Sequence, residues 1–196
     1  MNRRIGEWRA EAETLRIQRP RNILFLCVAN SARSQIAEGI ARSLAPPGVK
    51  VSSAGSFPAS VRPQAIRVLE EIGIDISGHR SKGMESIDAG SVDAVITLCA
   101  EEVCPVFPGK PVRIHWGLPD PAAVTGTEEA RLNAFRSVRD ELLIRLKVLF
   151  GHGEETAVKR PRAIAIVGNS GAGKTTLLEG LIPALKRKGL RVGAVK

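Results

Sequence analysis

The sequence predicts an α/β protein: a four-stranded parallel sheet with helices on both faces, followed by an incomplete β-α-β unit built round a phosphate loop. Three observations carry this. Short apolar runs at 23–27, 49–53, 94–98 and 112–116 alternate with segments of helical periodicity, as strands buried on both sides of a parallel sheet do. The first run delivers Cys27 into a turn of small residues, Val28-Ala29-Asn30-Ser31-Ala32, that closes with Arg33-Ser34. A later apolar run at 163–167 leads straight into Gly168-Asn169-Ser170-Gly171-Ala172-Gly173-Lys174-Thr175-Thr176 and a further helical pattern.

Residues 1–20 place Ile5, Trp8, Ala12 and Leu15 at helical spacing among Arg and Glu, with Pro20 as a stop, and read as an amphipathic N-terminal extension that packs on the body of the protein. The main domain is expected over 21–150. After its opening strand and turn, Ile36, Ala37, Ile40, Ala41 and Leu44 share a helical face that Pro46-Pro47-Gly48 ends. A strand at 49–53 runs into Ala54-Gly55, read as a turn. Ala65, Ile66, Leu69 and Ile72 then repeat the helical spacing before Gly73. The last helix, 127–150, offers Leu132, Phe135, Val138, Leu142, Leu146 and Leu149 to the core, with Thr125 and Glu128 as a capping box. Residues 151–161 are polar and read as a linker, leaving 162–196 as a partial nucleotide-binding domain.

A chain of 196 residues, 43% apolar, buries one full core and part of a second. It holds no apolar run near the roughly 20 residues of a membrane span and no signal-peptide core, so a cytoplasmic protein is expected. Three cysteines cannot all pair, which favours thiol chemistry over a disulfide framework. The net charge of +9 sits outside the middle: residues 22–150 carry fourteen Lys/Arg against fourteen Asp/Glu. Neither basic end interleaves aromatics, which argues against nucleic acid.

Cys27 and Arg33 enclose five residues whose backbone N–H groups can curl round a tetrahedral anion. The guanidinium can grip it bidentately, and the next helix offers its N-terminus. The same positive surroundings favour the thiolate, the nucleophilic form. In a parallel sheet ligands sit beyond the carboxyl ends of the strands. Cys27 ends the first strand, Cys99 the third, and Asp120 follows the fourth, so all three fall on one rim. Each also has a plain structural reading: Cys27 as a small buried residue, Cys99 and Cys104 as free thiols or a metal pair near a strand end, Asp120 as the turn residue that Asp before Pro commonly is.

The pattern Cys27-x-x-Asn30-x-x-Arg33-Ser34, with the helix start Gln35-Ile36-Ala37-Glu38-Gly39, resembles the low-molecular-weight tyrosine phosphatase fold, and more closely its thioredoxin-coupled arsenate reductase branch. Ala29 departs from it where many members carry Gly, and a positive φ there would strain the alanine. The resemblance implies that Val28, Ala29, Asn30, Ser31, Ala32 and Ser34 bind the anion. It also implies a relay: Cys27 attacks arsenate, Cys99 attacks Cys27 as arsenite leaves, Cys104 attacks Cys99, and thioredoxin reduces the resulting disulfide, with no cofactor. Were 99–104 one continuous helix, the two Cα atoms would stand roughly 8–9 Å apart, beyond the bridging limit of about 7 Å. The segment is therefore expected to be a loop or to unwind. His115-Trp116-Gly117-Leu118-Pro119-Asp120-Pro121 is similar to the family's acid loop, in which Asp120 would protonate the leaving oxygen. Phosphatase members usually frame this loop with tyrosines, and the sequence has no Tyr. That favours a small oxyanion, with phosphate-ester hydrolysis through Cys27 as the rival on the same scaffold. His79 and His115 read as structural, and Ser81-Lys82 resembles a recurring family dipeptide.

Residues 168–175 fit GxxxxGK[ST], whose backbone cradles phosphates while Lys174 reaches the β and γ groups and Thr175 holds Mg²⁺. With Leu177, Leu178, Leu181, Ile182 and Leu185, the stretch resembles the start of the MobB family, GTP-binding proteins of molybdopterin-guanine dinucleotide biosynthesis. About 35 residues rarely bury a core alone, so 162–196 is expected to be the beginning of a longer GTP-binding domain in a fusion. As it stands it should bind nucleotide weakly and not hydrolyse it. A third reading makes the intact protein chiefly a GTP-binding molybdenum cofactor factor, with the first domain as sensor or passenger.

Overall fold

A computed structural model describes residues 7–100 and 104–152, and beyond them 175, 176, 179 and 181–183. The chain divides into two units, Met1–Glu154 and Glu155–Lys196, and the elements below belong to the first. Four strands, β1 (Asn22–Cys27), β2 (Lys50–Gly55), β3 (Ala94–Cys99) and β4 (Val112–Leu118), form one parallel sheet in the order β2-β1-β3-β4. All four carboxyl ends therefore share an edge, and the strand order reverses between β1 and β3.

The alternation along β1 explains its continuous apolar run. Ile23 and Phe25 enter one core, Leu24 and Leu26 the other. The larger core lies under all four helices: α1 (Glu7–Gln18), α2 (Arg33–Leu44), α3 (Pro63–Glu70) and α4 (Glu128–Phe150). α4 packs against the other three, and its predicted face, Leu132, Phe135, Val138, Leu142, Leu146 and Leu149, is buried. α1 buries Ala12 and Leu15, and the Arg145 guanidinium stands 5.4 Å from the Trp8 ring centroid and 6.0 Å from that of Trp116. Ile5 lies outside the described residues. The smaller core, Leu24, Leu26, Ala54, Val92, Val95 and Phe107, is closed by 3₁₀ turns at Met84–Ser86 and Ala89–Ser91.

Three local expectations change. Ala54-Gly55 is no turn: both residues pair in the ladder, opposite Leu26 and Cys27. Small residues there punctuate the sequence because the neighbouring backbone comes close. α3 stops at Glu70, leaving Ile72 beyond it and 37% exposed, while Gly73 turns the chain at φ 77°. The cap of α4 is Thr127, whose side chain accepts from the Ala130 amide at 3.2 Å, in place of the Thr125–Glu128 box. Gly126, at φ 114°, sets the later entry, and Glu128 and Glu129 then fall in the first turn, where the helix dipole favours them. Among the described residues no helix is long and apolar enough to cross a membrane.

Candidate functional site

β1 ends at Cys27, buried beside Gly55 of β2. From there residues 28–32 curl back over the sheet edge before α2 begins. A Cβ on Gly55 would stand 2.4 Å from the Val28 carbonyl and 2.8 Å from the Asn30 nitrogen, so only glycine lets the turn sit down on β2. The residue in left-handed conformation is Asn30, at φ 46°, and not Ala29. Asparagine tolerates that region, so Ala29 carries no strain of this kind.

Asn30 is fully buried, and its amide is used completely. Nδ2 donates to Ser34 Oγ at 2.8 Å and to Ser53 Oγ at 2.7 Å. Oδ1 accepts from the Lys82 amide at 2.7 Å and from Gln35 Nε2 at 3.0 Å. The Ser34 oxygen, which accepts from Asn30, also lies 3.0 Å from the Cys27 sulfur. Behind this layer Ser53 donates to the buried Glu38 at 2.5 Å, and Glu38 pairs with Arg42 and with Lys82, the latter at 3.4 Å. Ser81 donates to the Asn30 carbonyl. His79 Nδ1 lies 2.9 Å from Gln35 Oε1, an acceptor only, so Nδ1 carries the proton and Nε2 faces Arg42 Nη1 at 3.4 Å. Burial pushes His79 below its ordinary value of 6.5, in keeping with this neutral form. Its structural reading agrees with these contacts.

Arg33 opens α2 and is 3% exposed. Its Nη1 donates to the Leu118 carbonyl at 3.1 Å and the Leu98 carbonyl at 3.5 Å, the ends of β4 and β3. Its Nη2 is 3.6 Å from Asp120 Oδ1. Asp120 caps the Pro121–Ala123 turn, accepting from the Ala122 amide at 3.3 Å, and it also lines the cavity. Cys27, Val28, Ala29, Ser31, Ala32, Arg33 and Asp120 together line a cavity of about 430 Å³. A thiol on its floor, a fixed cation and a carboxyl on its wall suit attack on a tetrahedral oxyanion.

The family model described as low molecular weight phosphotyrosine protein phosphatase matches residues 22–163. The chain belongs to that family. Within it the similarity runs to arsenate reductases. One from Halalkalibacterium halodurans is 42% identical over 134 residues, 67% of this chain and 96% of that protein. One from Bacillus subtilis is 44% identical over 127 residues, 64% of this chain and 91% of that protein. A solved arsenate reductase in its phosphate-binding state is 35% identical, covering 67% of this chain and 98% of its own at a TM-score of 0.58. The model for molybdopterin guanine dinucleotide synthesis protein B matches residues 163–196.

The other two cysteines of this family member stand apart from the cavity lining. Cys99 ends β3 fully buried, and Cys104 is half-buried; neither is joined in a disulfide. Cys104 Sγ lies 3.6 Å from the Cys99 carbonyl. Of the phosphate-loop residues, Thr175 and Thr176 are helical and exposed, and Gly168, Asn169, Ser170, Gly171, Ala172, Gly173 and Lys174 lie outside the described residues. Sequence reasoning missed Gln35, Glu38 and Ser53. Glu38 stands off the apolar face of α2 and is buried because every residue from Arg33 to Ala41 is covered, so helical periodicity gave no signal for it.

Proposed function

We propose that this chain reduces arsenate to arsenite through Cys27, Cys99 and Cys104 and is regenerated by thioredoxin. The observation that carries the reading is the conjunction of an oxyanion cavity on Cys27 with two further cysteines, Cys99 and Cys104, at the adjoining strand end, which hydrolysis does not need. The Cys27 thiolate attacks arsenic, a sulfur–arsenic bond forms, and water leaves with a proton from Asp120. Cys99 then attacks the Cys27 sulfur: a disulfide forms, the sulfur–arsenic bond breaks, and its electron pair stays on arsenic, which departs as arsenite. Cys104 attacks Cys99, moving the disulfide outward and freeing Cys27. Thioredoxin, a dithiol, takes the oxidising equivalent. Because Cys99 is fully buried and absent from the cavity wall, its sulfur must shift toward Cys27 during this sequence. Working thiols suit the reducing cytoplasm.

The test follows NADPH oxidation with thioredoxin and thioredoxin reductase on adding arsenate. Wild type should turn over, and Cys99→Ser should stop. Full turnover by that variant would overturn the three-cysteine relay, and hydrolysis of an aryl phosphate with no response to arsenate would give the phosphatase reading instead. For residues 168–176 we propose weak binding of GTP phosphates, with Lys174 as the cation and Thr175 toward Mg²⁺, and a cofactor-assembly role only in a longer fusion.

A further inference from the structure

β3 and β4 keep simple register from Ala94–Val112 to Thr97–His115, then slip, so that Cys99 pairs with Leu118. Two steps on β3 thus match three on β4, a bulge of the kind that re-aims a side chain near a site. The bulged stretch contains Gly117. A Cβ there would come 3.0 Å from His115 Nε2 and 3.1 Å from the Cys99 carbonyl. The missing side chain makes room for the His115 ring beside the end of β3. Its Nδ1 then lies 2.8 Å from Thr97 Oγ1 and 3.8 Å from Cys104 Sγ.

The Thr97 hydroxyl can give its proton to the Ile114 carbonyl at 3.3 Å, and the Cys104 thiol its own to the Cys99 carbonyl at 3.6 Å. In that arrangement both turn lone pairs toward His115 Nδ1, and a hydrogen on that nitrogen is shared between them, closer to Thr97. We infer that His115, as its Nδ1–H tautomer, is the positioning residue for Cys104: it donates to the Cys104 sulfur and holds it beside the end of β3 for attack on Cys99. Thr97 fixes the ring, and Gly117 admits it.

This rests on the three-cysteine reading above and concerns its last exchange alone. There the Cys104 thiolate attacks the Cys99 sulfur of the Cys27–Cys99 disulfide. The old S–S bond breaks, the Cys99–Cys104 bond forms, and the electron pair leaves on Cys27 with no net oxidation. A hydrogen bond to the attacking sulfur survives deprotonation, whereas the thiol's own bond to the Cys99 carbonyl does not. His115 is thus the contact that still orients the reactive form.

The test uses the full chain with His115→Ala, His115→Asn and His115→Gln. The Asn amide places an N–H near Nδ1, and the Gln amide places one nearer Nε2. Two readouts are taken. One compares the single-turnover arsenite burst of reduced enzyme with steady-state turnover on thioredoxin. The other is the iodoacetamide alkylation rate of Cys104 at fixed pH, resolved by peptide mass spectrometry. The expected result is an unchanged burst and a loss of about tenfold in steady state and in Cys104 alkylation for His115→Ala, as removal of one hydrogen bond to a charged group gives. His115→Asn restores most of both and His115→Gln little. Equal losses in burst and steady state, or no rescue by Asn, would overturn the proposal. If the wild type gave no arsenite burst, the reductase reading would fall, while the alkylation rates would still decide whether His115 acts on Cys104.

Discussion

Asn30 uses both its amide hydrogens and both its oxygen lone pairs inside the protein, and it holds the one left-handed φ in the anion turn. Its two roles can be separated. Asn30→Gly keeps the backbone freedom and loses the four bonds, and Asn30→Ala loses both. For Asn30→Gly the unpaired Ser34, Ser53, Gln35 and Lys82 groups should cost about 1–3 kcal/mol of stability. Displacement of the turn should lower kcat/KM for arsenate by about 100-fold. Asn30→Ala should be worse on both counts. Urea unfolding and the coupled assay measure these, and equal behaviour of the two variants would show that φ is irrelevant. That Cys27 and Arg33 share one turn was legible from their spacing, and that Asp120 falls on the same rim from the parallel topology; all three line one cavity. The supporting set was not. Gln35 and Glu38 of α2, Ser53 of β2 and Lys82 come from three separate stretches and meet only in the folded chain, where β1 and β2 pair in one register.

At the scale of elements, the loop after α3 is tied to α4 by a carboxylate between two guanidiniums. Glu71 accepts from Arg136 Nη2 at 2.7 Å and from Arg139 Nη1 at 2.7 Å, and Arg139 also donates to the Val68 carbonyl at 2.9 Å. The hydrogen bonds from Arg136 first, then those from Arg139, lower the Glu71 carboxyl from 4.5 to about 2. A carboxylate with a depressed folded value stabilises the fold fully above its unfolded value and loses that contribution as pH falls through the folded one. Glu71→Gln should therefore be less stable than wild type at neutral pH, and the gap should close between pH 4.5 and about 2. Denaturant melts across that range check it; a gap constant with pH would refute the ionic origin. Helix faces were readable from periodicity, since burial repeats with the turn of the helix. The cap at Thr127 and the β3–β4 bulge were not, because each depends on where a neighbouring chain segment enters.

For the whole molecule, parallel topology carries the argument from strands to chemistry. Four parallel strands bring Cys27, Cys99 and the approach to Asp120 to one edge whatever the loops between them do, which is why a rim of reactive residues could be read from the order of apolar runs. Residues 163–196 match another family. If arsenate chemistry belongs wholly to the first unit, GTP and Mg²⁺ should not alter it. Lys174→Ala should leave arsenate turnover within experimental error of wild type, with and without millimolar GTP·Mg²⁺. Calorimetry of the unmodified chain should give a GTP Kd of about 1 mM or weaker, near −4 kcal/mol, as the weak binding proposed for residues 168–176 requires. Tight Mg²⁺-dependent binding would mean that these residues complete a nucleotide site by themselves. A change in arsenate turnover on adding GTP, abolished by Lys174→Ala, would mean that the two units are energetically coupled, and the fusion would then be a regulated reductase.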